Sequence, residues 1–163
     1  MKPNEKSIRA LQRKTHVVRS PQVMVAMKLQ PLLPLCLEAV EECRSAGLLP
    51  SKRISVHSTV SLKNKLWLDA TLFKEVLVGL LEDSVKRFEK GSTIALSVSS
   101  MGMHSLSLFI SYTHKATRNE SRDDWADLQH YSSDRMREII TQHQAAMNLR
   151  KDGRKVTIEL FFP

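Results

Sequence analysis

Glycine is scarce and unevenly placed. The chain has five, at positions 47, 79, 91, 102 and 153, and none between 103 and 152. A backbone cradle for phosphate needs glycine for its dihedrals and its clearance, so that stretch cannot build a cradle of the glycine-rich kind. Neither a Walker A loop nor a G-x-G-x-x-G fingerprint occurs anywhere in the chain. Long apolar runs are missing too, and none approaches the roughly 20 residues that span a bilayer. The basic N-terminus is not followed by an apolar stretch or a small-residue cleavage site, so no secretory signal is expected and a cytoplasmic setting follows. There are two cysteines, Cys36 and Cys43, seven apart on a predicted helix. Two helical turns put them roughly 10 Å apart, beyond disulfide reach, so both are expected as free thiols in a reducing compartment. The six histidines do not pair with one another or with cysteine at metal-ligand spacings and read as ordinary surface or core residues. No nucleophile elbow or cysteine-protease signature is present.

Charge is the apparent excess, at +8 overall, with 25 Lys and Arg against 17 Asp and Glu. Its location changes its meaning. Lys2, Lys6, Arg9, Arg13, Lys14 and Arg19 face only Glu5, so the first 20 residues carry +5 and the remaining 143 carry +3. Residues 1–21 therefore read as a basic arm on a nearly balanced body. Such an arm can steer an acidic partner, nucleic acid or an anionic surface, or simply be solvated, and solvation is the favoured reading.

With 163 residues the chain suits one domain, here placed at 22–163. Gln22–Gln30 alternates apolar and polar as an edge strand does. Pro31 and Pro34 suit the first turn of a helix that runs through Leu37, Val40 and Cys43 and stops near Gly47. Arg53–Val60 alternates with period two. The clearest helix is Thr71–Phe88, where Leu72, Val76, Leu77, Leu80, Leu81, Val85 and Phe88 recur at spacings of three and four. Glu82, four before Lys86, is expected to pair with it, and Trp67 to shield a sheet edge. Thr93–Ser99 and Ser105–Tyr112 read as a hairpin. Residues 113–132 form a polar stretch of lid type, holding Trp125 and Tyr131. A helix resumes at Asp134 with Met136, Ile139, Ile140, His143 and Met147 on one side. A turn at residues 151–154 and a strand over 156–162 close the chain. The pattern predicts a two-layer α/β sandwich, a mixed sheet covered by helices on one face.

The order of elements gains meaning from particular residues. Leu66-Trp-Leu-Asp69, then Leu72, then Glu75-Val-Leu-Val-Gly-Leu-Leu-Glu-Asp-Ser-Val-Lys86 resembles the asparagine-box region of histidine-kinase ATPase domains. In that family an aspartate and a short gap precede a helix reading roughly Q-V-L-x-N-L-L-x-N-A-x-K. Lys90–Ile94 is similar to the family's turn into its next strand. Arg137–His143, Asp152-Gly153 and Thr157–Pro163 resemble its closing helix and last strand.

The resemblance also shows what differs. It puts Gly79 where the first box asparagine stands and Asp83 where the second coordinates magnesium; aspartate can also ligate that ion. The D-x-G-x-G motif that holds adenine falls on Tyr112, His114 and Ala116, and the last glycine box near 128–136 holds no glycine. The expectation is a pseudo-ATPase with no cofactor, which binds a protein partner such as a response regulator or a kinase. The alternative is a divergent kinase domain that still binds ATP and magnesium through Asp83, Lys86 and the region of Tyr112. A third reading is nucleic-acid binding through residues 1–20. The family's partner docks near the lid, which makes Trp125, Tyr131, Arg118 and Arg122 the candidate contacts. Trp125 can equally fold back over the pocket. Arg118, Arg122, Arg135 and Arg137 flank the lid and can catch an anion, but with Glu120, Asp123, Asp124, Asp127 and Asp134 among them a self-neutralised loop is the favoured reading.

Overall fold

A computed structural model describes residues 24–48, 53–60, 64–100, 105–115 and 133–163. In chain order its elements are β1 (Lys28–Pro31), α1 (Leu32–Ser45), β2 (Ile54–Ser58), β3 (Lys65–Leu68), α2 (Ala70–Arg87), β4 (Ile94–Ser100), β5 (Leu106–Thr113), α3 (Asp134–Gln142), β6 (Ala146–Asp152) and β7 (Lys155–Phe162). Five strands form the main sheet in the order β2-β4-β5-β7-β6, with β2 parallel to β4 and every other pair antiparallel. A separate antiparallel pair, β1 with β3, lies outside it. The expected mixed sheet and α/β layering are present.

Alternation decides which sheet face is buried. Ile94, Leu96 and Val98 of β4, Leu108 and Ile110 of β5, and Ile158 and Leu160 of β7 enter one core with the helices. Ser97, Ser99 and Ser111 point the other way, where the sheet is only partly covered. Phe73, Val76, Leu77, Leu80 and Leu81 of α2 are completely buried. Each contributes about 1.5–3 kcal/mol by leaving water, more than the helix's terminal hydrogen bonds supply. α1 ends as the glycine suggests. Gly47 takes φ +69°, and the Gly47 and Leu48 amides donate to the Arg44 and Cys43 carbonyls at 3.0 and 2.9 Å, a Schellman closure. Cys36 and Cys43 are both free and buried on its inner side.

Four expectations are corrected. The strand expected over 22–30 is confined to Lys28–Pro31 among the described residues, and it pairs with β3 instead of edging the main sheet. Met147 belongs to a strand, not to the last helix: Gln144 takes φ +55°, which ends α3 and frees the chain to form β6 against β7. Lys86 pairs with Asp83 at 3.4 Å, one turn away, instead of with Glu82. Trp67 is 64% exposed and sits within β3, opposite Leu29 of β1, instead of shielding a sheet edge. The arm 1–21 lies outside the described residues, as does all of the 113–132 lid beyond residue 115. Thr113 itself closes β5.

Candidate functional site

The long helix α2 supplies the framework of the site, and its start is fixed from three directions. The Asp69 carboxylate caps it, accepting from the Thr71 and Leu72 amides at 3.1 Å each, while its other oxygen accepts from the Ala26 amide at 2.7 Å. Burial raises the Asp69 pKa, but the hydrogen bonds from Ala26, Leu72 and Thr71 outweigh it and hold the carboxyl below its ordinary value. The Asp69 amide in turn donates to His143 Nε2 at 2.9 Å. His143 Nδ1 lies 2.7 Å from the Ile139 carbonyl and must donate to it, so the neutral tautomer with its proton on Nδ1 satisfies both contacts. The imidazole also packs on Phe73, ring centroids 5.7 Å apart. This is a structural histidine, spent on joining the end of α3 to the start of α2.

Along the middle of α2 the closing helix lies close. A Cβ added to Gly79 would sit 3.2 Å from the Met136 sulfur and 3.3 Å from its methyl carbon. One turn earlier, Arg135 Nε and Nη2 reach the two Glu75 oxygens at 2.5 and 3.0 Å, a forked pair. The hydrogen bond from Arg135 holds the Glu75 carboxyl below its usual range against a smaller opposing effect of burial. Ser133 caps α3 by accepting from the Met136 amide at 3.2 Å, which sets the direction in which Arg135 and Met136 project.

At the far end of α2, Asp83 and Lys86 form their own ion pair. Tyr112, near the end of β5, is 2% exposed and enters the core beside β7, where it pairs with Val156. The residues after it run back along the end of α2. The Glu89 amide donates to the Thr113 carbonyl at 2.7 Å, the Lys115 amide to the Arg87 carbonyl at 2.9 Å, and Lys115 Nζ to the Lys86 carbonyl at 2.6 Å. The His114 amide donates to the Arg154 carbonyl at 2.7 Å, and Arg154 also pairs with Glu89 at 2.6 Å. Segment 112–115 is thus sewn to α2 and β7 by its own backbone.

The candidates fall into two groups. Asp83, Lys86 and the segment starting at Tyr112 come together around the C-terminal end of α2. Arg118, Arg122, Trp125 and Tyr131 lie outside the described residues. Among the described residues no group of three His, Cys, Asp or Glu side chains is placed to hold a metal ion, and no helix is long and apolar enough to cross a membrane. Sequence reasoning missed Glu75 as the partner of Arg135, and Lys115 as a donor to the helix end. Neither partnership has a local signal, since the partners are 60 and 29 residues apart.

No family model matches the sequence, and no curated protein sequence does. Solved structures do match. The catalytic domain of histidine kinase ThkA superposes with a TM-score of 0.63 at 13% identity, covering 85% of this chain and 96% of that one. The fold is that of histidine-kinase catalytic domains. Histidine kinase AdeS of Acinetobacter baumannii matches with a TM-score of 0.61 at 14% identity over 99% of this chain and 86% of its own. Full-length ShkA in complex with AMPPNP matches at 0.65 and 14% identity, over 88% of this chain and 32% of that one. At such identities the likeness fixes the histidine-kinase fold and leaves the chemistry to the residues themselves.

Proposed function

We propose that this chain is a non-catalytic, pseudo-ATPase version of the histidine-kinase catalytic fold, working in the cytoplasm as a protein-binding regulator in two-component-type signalling. The observation that carries this reading is Tyr112. At the position where the resemblance puts the adenine-accepting carboxylate stands a phenol that is 2% exposed and packed into the core. A neutral buried ring offers no anionic acceptor, and bringing it out to admit a base would forfeit its burial. Two further observations support the reading. Gly79 has surrendered its side-chain space to Met136, and the backbone of 113–115 is engaged with α2 and β7 instead of being open to a ligand. The partner is a response regulator or a kinase, and Trp125, Tyr131, Arg118 and Arg122 are the lid-side residues proposed to touch it.

Thermal unfolding and calorimetry with Mg-ATP test the proposal. A ligand present at a hundredfold excess over its Kd stabilises by about 2.7 kcal/mol. The expected result is no shift and no heat. A shift that required magnesium and disappeared in Asp83→Ala would establish instead a divergent kinase domain binding the nucleotide through Asp83 and Lys86.

A further inference from the structure

The joint between α3 and α2 works with a neutral imidazole and with no other form of it. His143 is 4% exposed, and both ring nitrogens are committed. Nδ1–H donates to the Ile139 carbonyl inside α3, and Nε2 accepts from the Asp69 amide in a contact buried at both ends. An imidazolium carries a proton on each nitrogen and accepts nothing. Its second proton would face the Asp69 N–H, donor against donor across 2.9 Å. A buried amide that loses its acceptor bears the full cost of desolvation, so the contact cannot survive the proton.

The surroundings determine what the proton does next. A charged ring is drawn to the Asp69 carboxylate, whose titration feels that charge. The same carboxylate caps α2 through the Thr71 and Leu72 amides and holds the Ala26 amide. A proton on His143 therefore acts on the start of α2 and on the approach to β1 together. The other neighbours are mostly apolar: Phe73 of α2 packs on the ring, and Phe162 of β7 and Met27 share a cavity wall with it. Lys65 of β3 is the one Lys, Arg, Asp or Glu side chain in that wall, and its like charge opposes the imidazolium. On α3 itself, Arg137 and Glu138 lie round the helix from His143, six and five positions back.

We propose that His143 is an acid-sensitive latch: proton uptake by its ring releases the end of α3 from the start of α2 while the main sheet stays formed. The five-stranded sheet is held by its own ladders, none of which uses the ring. The joint is present with the neutral ring and lost as falling pH adds the proton. Asp69 does not act first, because its carboxyl is held below its ordinary value and stays charged until lower pH. α3 also carries Arg135 and Met136, which meet Glu75 and Gly79, so its release is felt along the middle of α2. The inference rests on this joint alone and holds whether or not the chain binds nucleotide or a partner.

The test uses the full chain and nuclear magnetic resonance from about pH 8 to about pH 5, the range in which imidazole changes charge. The His143 ring and the Asp69 amide are expected to titrate with one midpoint, and the Ala26, Thr71 and Leu72 amides to follow them. Below that midpoint the Asp69 amide should lose protection from hydrogen exchange, relative to its intrinsic rate, by up to about tenfold per pH unit, the limit for one proton. Circular dichroism should stay constant over the same range. His143→Gln keeps an acceptor and has no charge to gain, so its amide curves should be flat. Flat amides in the wild type, amide changes that persist in His143→Gln, or a ring that takes its proton only as the circular dichroism collapses each overturn the proposal. Should His143→Gln fail to fold, the wild type decides alone, since different midpoints for the ring and the Asp69 amide overturn it as well.

Discussion

The Met136 sulfur lies 3.2 Å from the point where a Cβ on Gly79 would be. A glycine inside an 18-residue helix costs roughly 1 kcal/mol relative to alanine, so its presence is compensated by what it admits. What it admits is the Met136 side chain, which is otherwise buried against the core. Replacing the glycine by asparagine, the residue the family resemblance would put there, should therefore force Met136 out of place.

Gly79→Asn is expected to destabilise the protein by about 1–3 kcal/mol through overpacking, despite the gain in helix propensity. Met136→Ala alone should cost about 2 kcal/mol or more by leaving a cavity. The double variant should be more stable than the sum of the two effects predicts, because the asparagine then occupies the emptied space. Urea unfolding of the four proteins measures the coupling. Strict additivity would show that the contact is incidental.

A second prediction concerns the link from α3 to α2. His143→Ala removes the acceptor of the buried Asp69 amide and the ring packed on Phe73, and should cost about 3 kcal/mol. Asp69→Asn is less conservative than it looks. One carboxylate oxygen accepts from Ala26 and the other from Thr71 and Leu72, so an amide nitrogen must face a backbone donor on one side. A loss of at least about 1 kcal/mol is expected.

The same aspartate sets a pH dependence. Its folded-state pKa is depressed below the ordinary value of 3.8, so its contribution is present above that value and lost as the pH falls through the lowered one. Wild-type stability should therefore decline below about pH 4 with a slope that Asp69→Asn lacks in part. Unfolding midpoints measured from about pH 6 downward test this, and parallel curves for the two proteins would refute it.

Much of this architecture can be read from residue order, for identifiable reasons. The stripe on α2 and the alternation of β4, β5 and β7 each report burial on one side, and burial is what the sequence pattern encodes. Of the small sheet only β1 was legible, inside the strand expected over 22–30; Leu68 of β3 is buried but Leu29 and Trp67 face solvent, so the usual inference from apolar to inward fails for those two. β6 was hidden because Met147 continues the helical spacing of Ile140 and His143. The helix stop before it is a glutamine at positive φ, with no glycine to announce it. Asp83, Lys86 and Tyr112 are candidates by family likeness alone, since no spacing within the chain marks them. Asp83 and Lys86 pair with each other one turn apart, whereas Tyr112 pairs with Val156 and the Lys86 carbonyl accepts from Lys115, both far away in sequence.

The forked pair between Glu75 and Arg135 should matter little for stability, although its geometry is good. Both side chains are about half exposed, so solvent and salt screen the attraction. The Glu75 carboxyl is held below its ordinary value of 4.5 by Arg135. Any stabilisation is thus present above that value and disappears as the pH falls through the lowered pKa. Glu75→Gln should lower the melting temperature slightly in low salt at neutral pH and leave it unchanged in high salt. A large, salt-independent drop would mean that the pair organises the approach of α3 to α2.

The two thiols supply the last test, one of packing. Cys36 and Cys43 are fully buried on α1. Burial pushes the Cys36 thiol up to about 12, and burial with the neighbouring Glu82 and Glu42 pushes Cys43 up to about 11. The reactive species is the thiolate, so at neutral pH each group is both inaccessible and protonated. Both should be inert to a thiol reagent in the native protein and react together, at the rate of unfolding, when urea is added. Rapid reaction of either in the native state would show that α1 opens from the core independently of global unfolding. A partner could then reach that inner surface as well.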